Sequence, residues 1–131
     1  MFGFIKALLG ICQTKPLSGD LWSLEGDKVR VKLSQMPEPL QKRGAVYLTG
    51  QGLSMPILIM RTEDDQHLAF ANRCTHSGRK LDPVSGESVL RCCSVGHSTF
   101  DYEGNRLSGW AKEPLTCHAV EKSDGDLIIT L

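Results

Sequence analysis

Two short segments gather the side chains best suited to chemistry. Cys74-Thr75-His76-Ser77-Gly78 lies near the middle of the chain, and Arg91-Cys92-Cys93-Ser94-Val95-Gly96-His97-Ser98 follows after a short spacer. Two thiols and two imidazoles divided between two loops are what a pair of irons with mixed ligation requires, cysteine on one iron and histidine on the other. A Cys2His2 zinc site is the weaker reading of the same donors. The Cys-x-His spacing is tighter than the two to four residues usual in a zinc-finger pair. One intervening residue lets both side chains leave a sharp turn and reach two irons held together by sulfide. Gly78 frees the backbone for that approach.

The other cysteines and histidines read more simply. A lone cysteine is usually a small buried hydrophobe. Neighbours on a strand face opposite ways, so Cys92 is expected in the core beside an outward Cys93. Cys117 and His118 fall on a late strand outside both loops and read as packing and surface residues. His67 opens a strand after a polar turn and reads as solvent-facing.

Short strands must position these loops. Val29 and Val31, continued by Leu33, alternate with Lys28, Arg30 and Lys32, the period of a half-buried strand. Pro37 and Pro39 break that run. Residues 45–49, 56–61 and 67–71 read as further strands, so that a meander delivers the chain to Cys74. Short strands near 88–91 and 99–102 frame the second loop, and Glu103-Gly104-Asn105 is a tight turn. Residues 117–121 and 127–131 flank a linker whose Asp124-Gly125 step signals a hairpin. Many short strands, frequent Gly and Pro turns and no long helix give an all-β class: antiparallel sheets or a small barrel. Residues 1–27 read as an N-terminal appendage, punctuated by Pro16, Gly19 and Gly26 and pinned by Trp22 and Leu24. Residues 28–131 form the domain, with the chemistry in about 72–110.

Composition narrows the function. Fifteen basic and fifteen acidic side chains cancel, so no polybasic field points to nucleic acid. Five cysteines, an odd number that includes an adjacent pair, suit metal ligation in a reducing compartment better than a disulfide-stapled secreted fold. The opening Met1-Phe2-Gly3-Phe4-Ile5-Lys6-Ala7-Leu8-Leu9-Gly10-Ile11-Cys12 is apolar but shorter than the ~20 residues of a membrane span, and Lys6 interrupts it where a secretory signal would not. It reads as a short amphipathic helix for an apolar patch or a docking partner, in a cytoplasmic protein.

From about Lys28 to Leu131 the chain resembles the Rieske [2Fe-2S] family. The resemblance is carried by Ala69-Phe70-Ala71-Asn72-Arg73 leading into the first loop, by Leu81-Asp82-Pro83-Val84-Ser85-Gly86, by the second loop, by Ser98-Thr99-Phe100-Asp101 and by Leu107-Ser108-Gly109. It implies small antiparallel sheets carrying a [2Fe-2S] cluster at a tip built from two loops. It implies Cys74, His76, Cys93 and His97 as ligands, the histidines on the outer iron. The family's second loop usually reads Cys-x-x-His-Gly, whereas here Gly96 and His97 are transposed. Adjacent Cα atoms stand about 3.8 Å apart, far beyond the ~0.2 Å that a metal bond tolerates, so only the backbone can absorb the slip. Three outcomes stay open: the loop shifts and ligates as Cys93-x3-His97, Cys92 ligates instead, or the fold persists without a cluster.

The resemblance also bears on tuning and partners. Ser98 resembles the family serine that bonds a bridging sulfide. Phe100 stands where high-potential members carry a tyrosine, and Arg79 where they carry the first of an extra cysteine pair; both point to a low potential for this cluster type. Arg79 and Lys80 beside the first loop suit docking to an acidic redox partner. No paired acid and base frame a substrate pocket, and no mononuclear-iron domain or membrane anchor is read. The expectation is a small ferredoxin-like electron carrier between a reductase and an acceptor, a component rather than a stand-alone enzyme. The alternative is a clusterless Rieske-fold module acting in binding or assembly.

Overall fold

The computed structural model describes residues 14–36, 40, 44–73, 81–83, 88–93, 98–108 and 113–131. The described strands are β1 (Lys15–Pro16), β2 (Trp22–Glu25), β3 (Lys28–Val31), β4 (Ala45–Leu48), β5 (Ile57–Arg61), β6 (His67–Ala71), β7 (Leu81–Pro83), β8 (Val89–Cys92), β9 (Thr99–Asp101), β10 (Arg106–Ser108), β11 (Cys117–Ser123) and β12 (Asp126–Thr130). Two 3-10 turns, Gly19–Leu21 and Leu33–Gln35, join them. The protein is all-β, as its sequence predicts.

Eight strands form one curled sheet in the order β1-β4-β5-β6-β11-β12-β3-β2, and four form a smaller one in the order β10-β9-β8-β7. Apart from the parallel β1–β4 pair, all the ladders are antiparallel. The curl turns at β11. Its first residues, Cys117 and His118, pair with Phe70 and Ala69, whereas Ala119–Ser123 pair with β12. The β11–β12 hairpin closes through Asp124 and Gly125, both at positive φ (52° and 82°). Such a two-residue turn matches the twist of its strands, and Asp-Gly reaches it at little cost.

The unbroken apolar run at Ile57–Met60 has a structural cause. Alternate side chains on a strand face opposite ways. Ile57 and Ile59 enter the core inside the curl with Trp22, Val29, Val31, Leu48, Ala69, Leu127 and Ile129. Leu58 and Met60 face the other way, joining Phe70 against Leu81, Leu90, Cys92 and Phe100 of the small sheet. β5 is thus a wall shared by two cores.

Two details differ from the sequence expectations. Leu33 does not extend β3: the ladder stops at Val31, where β3 is paired with Trp22 on one side and Leu127 on the other, and Lys32 N–H donates to Leu21 C=O as the chain turns. Within the segment read as an appendage, β2 pairs with β3 along its whole length, and Trp22 is buried in the core. β1 then joins β4, and Thr14 donates from both N and Oγ1 to Asp82 Oδ1 at 3.0 and 2.6 Å. The N-terminal arm therefore grips both sheets.

Candidate metal centre

The described residues that flank the two Cys/His segments meet in one buried stem. β6 ends at Ala71, and Asn72 follows with its N–H on Pro56 C=O. The Asn72 Oδ1 accepts from Leu81 N–H at 2.9 Å, tying the residue after β6 to the first residue of β7. Cys92 N–H donates to Ser98 C=O at 2.8 Å, tying the last residue of β8 to the residue before β9. Leu81 and Cys92 are opposite each other in the β7–β8 ladder, so the two ties lie side by side. Asn72 and Ser98 are 2% exposed, and Leu81 and Cys92 fully buried. Burial in a low-dielectric setting strengthens such bonds and makes their loss costly.

The structure separates the paired cysteines. Cys92, which forms no disulfide, packs among Leu58, Phe70, Leu90 and Phe100, so its side chain belongs to the core between the sheets. Cys93, one residue past β8, is also largely buried, at 6% exposure, rather than outward on an open surface. Cys93 is disulfide-bonded, whereas Cys92 and Cys117 form no disulfide. Cys74, His76 and His97 lie outside the described residues, as do Arg79, Lys80 and the apolar segment 1–13. Among the described residues no group of three or more His, Cys, Asp or Glu side chains comes together.

Histidines 67 and 118 lie on the large sheet instead. They line an open groove of about 420 Å3 with Cys117, Tyr102 and Lys122. His67 begins β6 and Asn72 follows its end; five steps of strand put them roughly 17 Å apart. Expected at the surface, His67 is half-buried, and its Nδ1 has no partner. Burial, with Lys122 and Arg61 nearby, lowers its pKa against the opposing pull of Asp65. Burial alone lowers that of His118. Cys117 has its pKa raised by burial and by Asp101 and Glu103, which leaves a protonated, poorly reactive thiol.

Phe100 is fully buried between the sheets, and the β9–β10 turn beyond it is held by Asp101. The Asp101 Oδ1 accepts from Glu103 and Asn105 N–H, both at 2.9 Å, and these bonds, that of Asn105 foremost, lower its pKa.

A family model described as the Rieske [2Fe-2S] domain matches residues 18–119. The chain belongs to the Rieske [2Fe-2S] domain family. Solved structures agree on the fold. The ferredoxin of carbazole 1,9a-dioxygenase from Nocardioides aromaticivorans IC177 is 20% identical, with a TM-score of 0.60, over 75% of this chain and 90% of that one. The plasma membrane Rieske protein PetC3 from Synechocystis PCC 6803 is 20% identical, with a TM-score of 0.57, over 68% of this chain and 88% of that one. A chain in the complex of reduced oxygenase and oxidized ferredoxin in carbazole 1,9a-dioxygenase is 20% identical, with a TM-score of 0.59, over 70% and 83%. No curated protein matches the chain.

The residues of this Rieske domain fit the family's cluster in two respects. By residue type the candidate donors are two cysteines and two histidines, with Cys93 able to ligate only when its disulfide is reduced, and neither segment carries a carboxylate to favour a hard cation. The stem also buries a polar atom without a partner, Asn72 Nδ2. Sequence reasoning gave Asn72 no role. A short polar residue two places before a candidate ligand was the available signal.

Proposed function

We propose that this Rieske domain holds a [2Fe-2S] cluster on Cys74, His76, Cys93 and His97 and passes single electrons from a reductase to an acceptor. The observation that carries this is the common stem: two loops, each with one cysteine and one histidine in sequence, leave a pair of facing, buried strand residues. Cys92 points into the core, which favours Cys93, once reduced from the disulfide it forms here, as the thiolate of the second loop. Bound there, the cluster supplies one-electron chemistry, with two neutral imidazoles leaving it less negative than an all-cysteine centre. The chain's own residues fix the loop roots, while Phe100 offers no hydroxyl to raise the potential. By analogy with the oxygenase–ferredoxin complex, the acceptor is an oxygenase component, met in the cytoplasm, with Arg79 and Lys80 at the docking edge.

One observation favours a second reading, a clusterless scaffold acting in binding or assembly: His97 stands one place beyond the family's position. Both readings meet one test. Protein purified without oxygen is assayed for iron, zinc and acid-labile sulfide, with EPR after reduction. About two irons and two sulfides per chain support the carrier. Folded, colourless, metal-free protein selects the scaffold, and zinc alone selects a Cys2His2 site.

A further inference from the structure

Among the described residues three buried side-chain atoms lack a hydrogen-bond partner: Trp22 Nε1, His67 Nδ1 and Asn72 Nδ2. Trp22 belongs to the core inside the curl, and His67 to the groove. Only Asn72 stands where the two Cys/His loops begin. Its amide is held in place, because Oδ1 is committed to Leu81 N–H. Leu81, which holds that amide, lies opposite Cys92 in the β7–β8 ladder, and Cys93 is the next residue. A buried donor without a partner is costly and calls for an explanation, such as an ion that completes the site. Thiolate and sulfide bound to iron are strong acceptors, unlike a neutral thiol or a disulfide.

We infer that Asn72 Nδ2 is a positioning donor for the loaded centre, giving its hydrogen bond to a sulfur of the cluster, either the Cys93 thiolate or a sulfide. This rests on the cluster reading above and adds to it a residue that is not itself a ligand. Two consequences follow from the charge balance. Loading satisfies an atom that is otherwise orphaned, so the bond favours retention of the cluster. Reduction makes the sulfurs more negative and strengthens the bond, so Asn72 raises the potential, as hydrogen bonds to cluster sulfurs do.

The test uses the full chain carrying 15N-asparagine. The sequence has two asparagines, Asn72 and Asn105, and the Asn105 amide is bonded to Asp101 in the β9–β10 turn. Pulsed EPR of the reduced protein is expected to show one 15N coupling, absent in Asn72→Ala and in Asn72→Asp. The aspartate variant keeps an acceptor for Leu81 N–H, so a folded, loaded Asn72→Asp separates the donor from the structural tie. Loss of iron to a chelator should quicken roughly 5- to 100-fold in Asn72→Ala, the range expected for leaving a buried group unsatisfied, and its potential should fall. Wild-type protein that loads iron and sulfide yet shows no 15N coupling overturns this inference and leaves the carrier standing. Wild-type protein that takes up neither overturns both.

Discussion

The clasp formed by Thr14 on Asp82 offers a stringent test of how the N-terminal arm is tied to the loop-bearing sheet. Two bonds end on one carboxylate oxygen, from Thr14 N at 3.0 Å and from Thr14 Oγ1 at 2.6 Å. Thr14→Val keeps the shape and the backbone donor and removes only the hydroxyl bond. Hydrogen bonds to a charged group contribute about 1.5–3 kcal/mol when well buried, and partial exposure here brings the hydroxyl bond to about 1 kcal/mol. Asp82→Ala removes both bonds and should cost about 2–3 kcal/mol. The double variant should cost no more than Asp82→Ala alone, because the hydroxyl has already lost its acceptor. The coupling energy from urea unfolding of the four proteins is therefore about 1 kcal/mol, and each kcal/mol lowers Tm by roughly 3–5 °C in a chain of this size. Strict additivity, with coupling below about 0.3 kcal/mol, would show that the clasp is not populated in solution and would undo the argument.

Three further outcomes are expected. Phe100→Ala should open a cavity between the two sheets and cost about 3–5 kcal/mol in chemical denaturation; a loss under 1 kcal/mol would mean that the small sheet is not packed there. Gly104→Ala should destabilise the β9–β10 turn by more than about 2 kcal/mol, since φ is +88° and the added Cβ would lie 2.3 Å from Leu115 C=O; wild-type stability in this variant would contradict the close approach. His67 and His118 have folded-state pKa values below the ordinary histidine value of 6.5, so the unfolded chain binds more protons and stability declines as pH falls from 6.5 toward the folded values. Denaturation midpoints between pH 7 and 5 should show that slope, and His67→Gln should flatten it; equal slopes in both proteins would remove His67 from the account.

Much of the scaffold could be read from residue order. The alternation at Lys28–Val31, the Asp-Gly turn and the run at His67–Ala71 each mark a strand or turn through a local rule, and each is found where expected. What local rules missed depends on distant partners. Leu33 keeps the period of a strand but finds no ladder beyond Val31. Trp22 reads as a tether, yet β3 and the core behind it make it part of the sheet. His67 follows a polar turn, yet it lies half-buried in a groove lined by residues distant in sequence, His118, Lys122 and Tyr102 among them. Cys92 is found in the core as strand alternation predicts, but Cys93, expected outward, is also buried, because β8 and its alternation end at Cys92. Asn72 was invisible for a similar reason: its function depends on Leu81, which meets it only once the chain has folded.

The shared wall at β5 bears on engineering. Because Leu58 and Met60, with Phe70, line the small sheet's underside from the other layer, segment 72–110 is no self-sufficient cassette. Excised or transplanted alone, it would carry a bare greasy floor and aggregate. A successful chimera must import a substitute platform of the same contour, so the economical unit of transfer is the whole double-layered body.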